Sequence, residues 1–203
     1  MTPVMRTLRT FATMLLAFTS FSVADEVRDD EATRQASAAA AEHIQFDGRT
    51  LGLAFENATD LERVKEYIPG DQKLERWTVL ASIREFPGLN DVPATVGALI
   101  KQLNKDYPQS PFSLIENPDT GDAIVDFVVW PADGSFVEFN ILRYQKNPAG
   151  GLIAQQYALR DYEDPEGFLK KLRPLRERLI NLMAKDGLQV STAAEEDGND
   201  ESD

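Results

Sequence analysis

The chain has 203 residues, 34 of them acidic and 21 basic, and its net charge is −13. That balance excludes general nucleic-acid binding, which needs a cationic surface. The chain holds no cysteine and a single histidine, which excludes disulfides, cysteine-built zinc sites and histidine-rich metal sites.

The first segment reads as an address. Arg6 and Arg9 precede the apolar run "FATMLLAFTSFSV", and "SVA" before Asp25 supplies the small residues of a cleavage site. The pattern predicts a secretory signal peptide over residues 1–24 and a periplasmic or secreted protein. The run is too short for a membrane span, so no transmembrane segment is expected after cleavage. Residues 25–47 are acidic and then alanine-rich, without an apolar stripe, and are expected to form a flexible arm. His43 lies in this arm, which is a poor place to hold a catalytic base beside a nucleophile. Residues 188–203 carry "STAAEEDGNDESD" and are expected to be a disordered acidic tail. One α+β domain is expected between them, over residues 48–187.

Within that domain "TLGLAFEN" alternates, with Leu51, Leu53 and Phe55 on one side. "LERVKEYIP" fits a helical turn through Leu61, Val64 and Ile68. It also alternates as a strand and ends at Pro69-Gly70, and the strand reading is adopted. "RWTVLASIREF" has Trp77, Val79, Ala81 and Ile83 on one face and Thr78, Ser82 and Arg84 on the other, as in a half-buried strand. A helix follows. Asp91 caps it, Pro93 suits its first turn, and Val92, Val96, Leu99, Ile100, Leu103 and Tyr107 make its apolar stripe. "PFSLIEN" is a short strand.

The hairpin "AIVDFVVWPADGSFVEFNILRYQK" allows two registers. A three-residue loop at Ala132-Asp133-Gly134, with Gly134 left-handed, sets Val129 against Val137, Phe127 against Phe139 and Val125 against Ile141. One side is then apolar, and Asp126, Glu138 and Asn140 gather on the other beside Trp130 and Phe136. A two-residue loop would set Val129 against Glu138 and scatter the polar groups over both sides. Burying lone polar groups costs about 1–3 kcal/mol each, so the three-residue loop is preferred. A strand over about Leu152–Tyr162 follows, with Ile153, Tyr157 and Leu159 on one side. The last helix starts at Asp164-Pro165, buries Phe168, Leu172, Leu175, Leu179 and Leu182 or Met183, and ends at Gly187. Pro174 inside it predicts a kink or two shorter helices. The same helix carries Lys170, Lys171, Arg173, Arg176 and Arg178, a candidate basic patch.

The sum is an antiparallel sheet of about six or seven strands flanked by two main helices. The run "EYIPGDQKLERWTVLASIREF" looks like a pattern in exported bacterial proteins of uncharacterised function: a strand ending in Tyr-Ile-Pro, a spacer, then a Trp-Thr strand. The layout over residues 50–185 resembles the Mog1/PsbP/DcrB-like fold. That resemblance implies a small, mostly non-catalytic binding or accessory protein and carries no catalytic residues with it.

The acidic tail lacks the ligand spacing of a calcium loop, and no glycine-rich phosphate loop follows a strand, so no metal or cofactor is expected. The reading is a non-enzymatic exported module that binds an unknown protein or small ligand through Asp126, Trp130, Phe136, Glu138 and Asn140. Two alternatives stay open. One is a hydrolase using Asp126 and Glu138 as paired carboxylates. The other is a module held on an anionic membrane surface by the basic helix.

Overall fold

A computed structural model describes residues 42–192. In chain order the elements are β1 (Glu42–Phe46), β2 (Arg49–Ala58), β3 (Arg63–Ile68), a 3-10 turn (Leu74–Arg76), β4 (Val79–Phe86), α1 (Val92–Asp106), β5 (Phe112–Glu116), β6 (Ala123–Val129), β7 (Val137–Lys146), β8 (Leu152–Asp161), α2 (Pro165–Lys185) and β9 (Gln189–Thr192). The strands form one antiparallel sheet in the order β5-β6-β7-β8-β4-β3-β2-β1-β9. All seven expected strands are present, and two more extend the sheet beyond residue 187 and before residue 48.

Those two strands belong to segments expected to be a flexible arm and a disordered tail. β1 places Ile44 and Phe46 in the core and pairs with both β2 and β9. A tight hairpin makes this possible. Asp47 and Gly48 both have positive φ (52° and 70°), the conformation of a two-residue loop that matches strand twist, so Phe46 faces Arg49. The signal peptide and the remainder of both tails lie outside the described residues.

The helices lie on opposite faces of the sheet. α2 covers a core of Ile44, Tyr67, Phe139, Ile141 and Tyr157, into which it puts Leu172, Leu179 and Met183. α1 covers Val125, Phe127, Leu142, Tyr144 and Leu152 with Val92, Val96, Leu99 and Leu103. Beside α1, the segment after β3 folds Trp77 over Ile68, Leu80 and Ala158. Trp77 therefore packs opposite to Val79 and Ala81, because the strand begins only at Val79. Neither face of β4 or β6 is a wet face, and every residue of β6 is buried.

Both helix starts follow the sequence signals. Asp91 accepts a hydrogen bond from the Ala94 amide at 2.9 Å, and Asp164 from the Gly167 amide at 2.9 Å. α2 runs through Pro174 as one helix and not as two shorter ones. Pro174 and Lys170 are both exposed, so the carbonyl that loses its donor is open to water. A bulge between Leu53 and Phe55 turns Phe55 away from Leu51 and Leu53, so the expected common face breaks there.

Candidate functional site

The β6–β7 hairpin takes the register in which Val129 faces Glu138, Phe127 faces Asn140 and Asp126 faces Ile141. This overturns the three-residue-loop register expected from the sequence. Gly134 is left-handed as expected, with φ 66°. The connecting loop nevertheless spans residues 130–136, held by the Gly134 amide on the Pro131 carbonyl and the Ser135 amide on Asp133. Residues directly opposite share a face, so Asp126 lies on the α2 side and Glu138 and Asn140 on the α1 side. Buried polar groups oppose this register only where each stands alone. None does, because distant segments supply the partners.

On the α1 side those partners come from β8. Arg160 donates to Glu138 from Nε at 2.7 Å and again from Nη2, and both side chains are only 8% exposed. Asn140 donates to the other Glu138 oxygen at 2.7 Å, and Gln156 donates to Asn140 Oδ1 at 2.7 Å. The Arg160 guanidinium lies over the Trp77 ring at 4.0 Å and the Phe136 ring at 4.3 Å. Its Nη1 reaches the Tyr162 hydroxyl at 3.3 Å, and that hydroxyl donates to the Trp77 carbonyl at 3.0 Å. Above this chain, Leu103, Tyr107 and Phe127 help close a cavity of about 50 Å³. Burial, with Glu138 and Asp106 nearby, holds the Tyr107 hydroxyl above its usual range. A cavity of that size holds a water or two, far below the several hundred Å³ of a substrate pocket.

On the α2 side Asp126 joins the expected basic patch. Arg176 donates to its two oxygens at 2.6 and 2.8 Å and to Ser113 Oγ at 2.7 Å, while Ser113 donates to Asp126. The hydrogen bonds to Asp126 raise the Arg176 pKa, against its partial burial. Arg178 pairs with Asp47 at 2.5 Å, and Lys170 with Glu166 one turn earlier at 3.5 Å. The five basic residues are therefore not one free patch; only Lys171 and Arg173 have no ion pair among the described residues.

The five residues expected to form one binding face are thus divided. Phe136, Glu138 and Asn140 meet at the Arg160 chain. Asp126 lies behind the sheet. Trp130 is in the exposed loop, 41% exposed and outside the cavity wall. Asp126 and Glu138 share no cleft, so they do not flank one substrate as a carboxylate pair must. Sequence reading missed Gln156, Arg160, Trp77 and Tyr162. The alternation of β8 and its place after β7 in the meander were readable, but its register was not.

A second buried ionic group lies on the α1 side of β3 and β4. Arg84 donates to Glu62 at 2.9 Å and to Glu66 at 3.0 Å. Two carboxylates share one guanidinium, and desolvation first, then the Glu62 charge, raises the Glu66 pKa against the pull of Arg84.

The surface offers a different feature. β5 closes one edge of the sheet and pairs only with β6. Phe112, Leu114 and Ile115 stand 41%, 40% and 46% exposed along it. The Val128 amide bonds the Pro111 carbonyl at 3.2 Å, which brings the start of the Trp130 loop to the same end. Pro111 is the only proline beside this strand, and Glu116 is its only charge.

No helix among the described residues is long and apolar enough to cross a membrane. Residues 38–187 match the sequence model of an uncharacterised bacterial family. The match spans most of the 203 residues, and the chain belongs to that family. No curated protein matches the chain.

Proposed function

We propose that this member of an uncharacterised bacterial family is an exported, non-enzymatic accessory module that takes up an extended segment of a partner protein along the outer edge of β5. One observation carries the reading: a sheet edge with three large apolar side chains exposed and no lysine to blunt it. Such an edge presents a row of unpaired backbone groups, and natural proteins guard it unless it is used. The buried polar groups support the same reading. Glu138 and Asp126 each have both oxygens engaged by their own chain, which suits stabilising roles and leaves neither poised to move a proton. The order of strands, helix, meander and long last helix also supports the resemblance to the Mog1/PsbP/DcrB-like accessory proteins.

The test is selection of extended peptides from a random display library on the purified protein, followed by amide hydrogen exchange and a Leu114→Lys variant. Leu114 is exposed, so the variant keeps the fold, which circular dichroism checks. Selected peptides that protect the β5 amides and lose about tenfold or more in affinity to the variant support the reading. Peptides that protect other strands, or bind the variant equally, overturn it. Export is tested separately, by fractionating cells and sequencing the N-terminus; a chain starting at Asp25 outside the cytoplasm is expected, and a cytoplasmic chain starting at Met1 refutes it.

A further inference from the structure

We infer that the segment received at β5 alternates apolar and acidic residues, with the acidic ones on the α2 side. The inference rests on the reading of β5 as a docking edge. It comes from the difference between the two sides of that edge. Phe112 and Leu114 face the same side as their partners Phe127 and Val125, over which α1 packs. Ser113 and Ile115 face the other side, with Asp126 and Ile124. A strand added next to β5 puts successive side chains alternately on these two sides. On the first side it meets exposed aromatic and aliphatic surface.

On the second side it meets cations beside the exposed Ile115. Arg176 reaches across to β5 and donates to Ser113. A guanidinium has five N–H donors. The three bonds to Asp126 and Ser113 come from Nε and Nη2, and Nη1 makes no hydrogen bond among the described residues. The Arg176 side chain is 42% exposed although its partner Asp126 is 5% exposed. One flank of the guanidinium is thus spent inside the fold and the other faces solvent beside the edge. Arg173, one turn earlier on α2, is exposed and has no ion-pair partner among the described residues. Leu169, two turns before Arg176, is 41% exposed on the same helix flank. A carboxylate opposite Ser113 would find Nη1 of Arg176 and the charge of Arg173 within reach of an adjacent strand, about 4.8 Å away.

The same chemistry decides between occupants. A second copy pairing through its own β5 would offer Ser113 and Ile115 to these arginines, and would bring two sets of cations together. The acidic tail, "AAEEDGNDESD" over residues 193–203, supplies carboxylates but no large apolar side chain for Phe112 and Leu114. A partner strand with both features satisfies the two sides at once.

The experiment uses three labelled synthetic peptides: one alternating valine and glutamate, one alternating valine and lysine, and one copying residues 193–203. Their binding to the purified protein and to Leu114→Lys and Arg173→Glu variants is followed by fluorescence anisotropy at low salt and at about 0.5 M salt. Arg173 is exposed, so its variant keeps the fold. The expected result is that the valine–glutamate peptide binds about tenfold or more tightly than the other two. Its binding weakens with salt, and Arg173→Glu reverses its preference over the lysine peptide. Equal binding of the two valine peptides, both lost in Leu114→Lys, overturns the charge assignment while the docking edge stands. Binding that ignores Leu114→Lys overturns the docking edge itself. Tightest binding by the tail peptide, or a dimer in light scattering that Leu114→Lys dissolves, replaces the partner strand with this chain and overturns the inference.

Discussion

Replacing Glu138 by alanine should unbalance the buried chain beneath α1. Glu138 accepts from Arg160 twice and from Asn140 once, and both members of the ion pair are 8% exposed. Removing one partner of a buried pair leaves an uncompensated charge and typically costs about 3–5 kcal/mol. Here the orphaned guanidinium keeps its contacts with the Trp77 and Phe136 rings, which return about 1–2 kcal/mol. The expected loss is about 1–4 kcal/mol, or roughly 2–16 °C in Tm for a domain of this size. Replacing both charges together, Glu138→Leu with Arg160→Met, removes the desolvation cost of both ions and leaves only Asn140 short of an acceptor. The double variant should therefore be more stable than Glu138→Ala. Urea unfolding of wild type, Glu138→Leu, Arg160→Met and the double variant gives the coupling energy, and Glu138→Ala is compared in the same assay. A loss below about 1 kcal/mol for Glu138→Ala, or a double variant no more stable than that single one, would refute the reasoning.

Two further outcomes follow from the other ionic groups. Asp126 is 5% exposed and Arg176 42%, so Arg176→Ala, which buries a carboxylate with Ser113 alone, should cost about 2–4 kcal/mol. Asp126→Ala leaves a cation that can reach water, and should cost only about 1 kcal/mol by the same urea assay. At Glu66 the folded-state pKa is raised, so the folded chain holds the proton more tightly than the unfolded one. The stability this contributes is present below the unfolded carboxylate value and is lost as pH rises through the folded one. Glu66→Gln should remove that loss, so the variant gains on wild type as pH rises from about 4 to 7. A difference in Tm that stays flat across this range would show that burial does not raise the Glu66 pKa.

Helices and central strands were legible because each states its own period. The stripe from Val92 to Tyr107 and the alternation from Leu152 to Leu159 need no knowledge of neighbours. The hairpin register was not legible because its cost depends on partners far along the chain. Asp126 is made tolerable by Arg176, Glu138 by Arg160 and Asn140 by Gln156, and nothing local to residues 123–146 announces them. β1 is a different case. "HIQFDGRTLGL" has Asp-Gly between alternating residues, a strong hairpin signal in a short sequence. The alanine-rich composition before it drew the boundary at the wrong place. The edge at β5 was read as a strand, but whether a strand is an edge is a property of the whole sheet order.

That order has a consequence for how the protein is made. β1, the first described strand, is sandwiched between β2 and β9, and Ile44 lies opposite both Leu51 and Val190. The ribosome releases β2 directly after β1, but β9 is the last of the described strands, and α2, whose Leu179 and Met183 share a core with Ile44, comes just before it. Closure of the sheet thus waits until α2 and β9 have been made, since pairing across so long a separation is slow and enters late. A nascent chain that stays open until β9 emerges can be threaded through a narrow channel, which suits the export proposed above. It also means that a ribosome stalled short of β9 leaves a polypeptide with β1 unpaired on one side, a ready target for proteolysis.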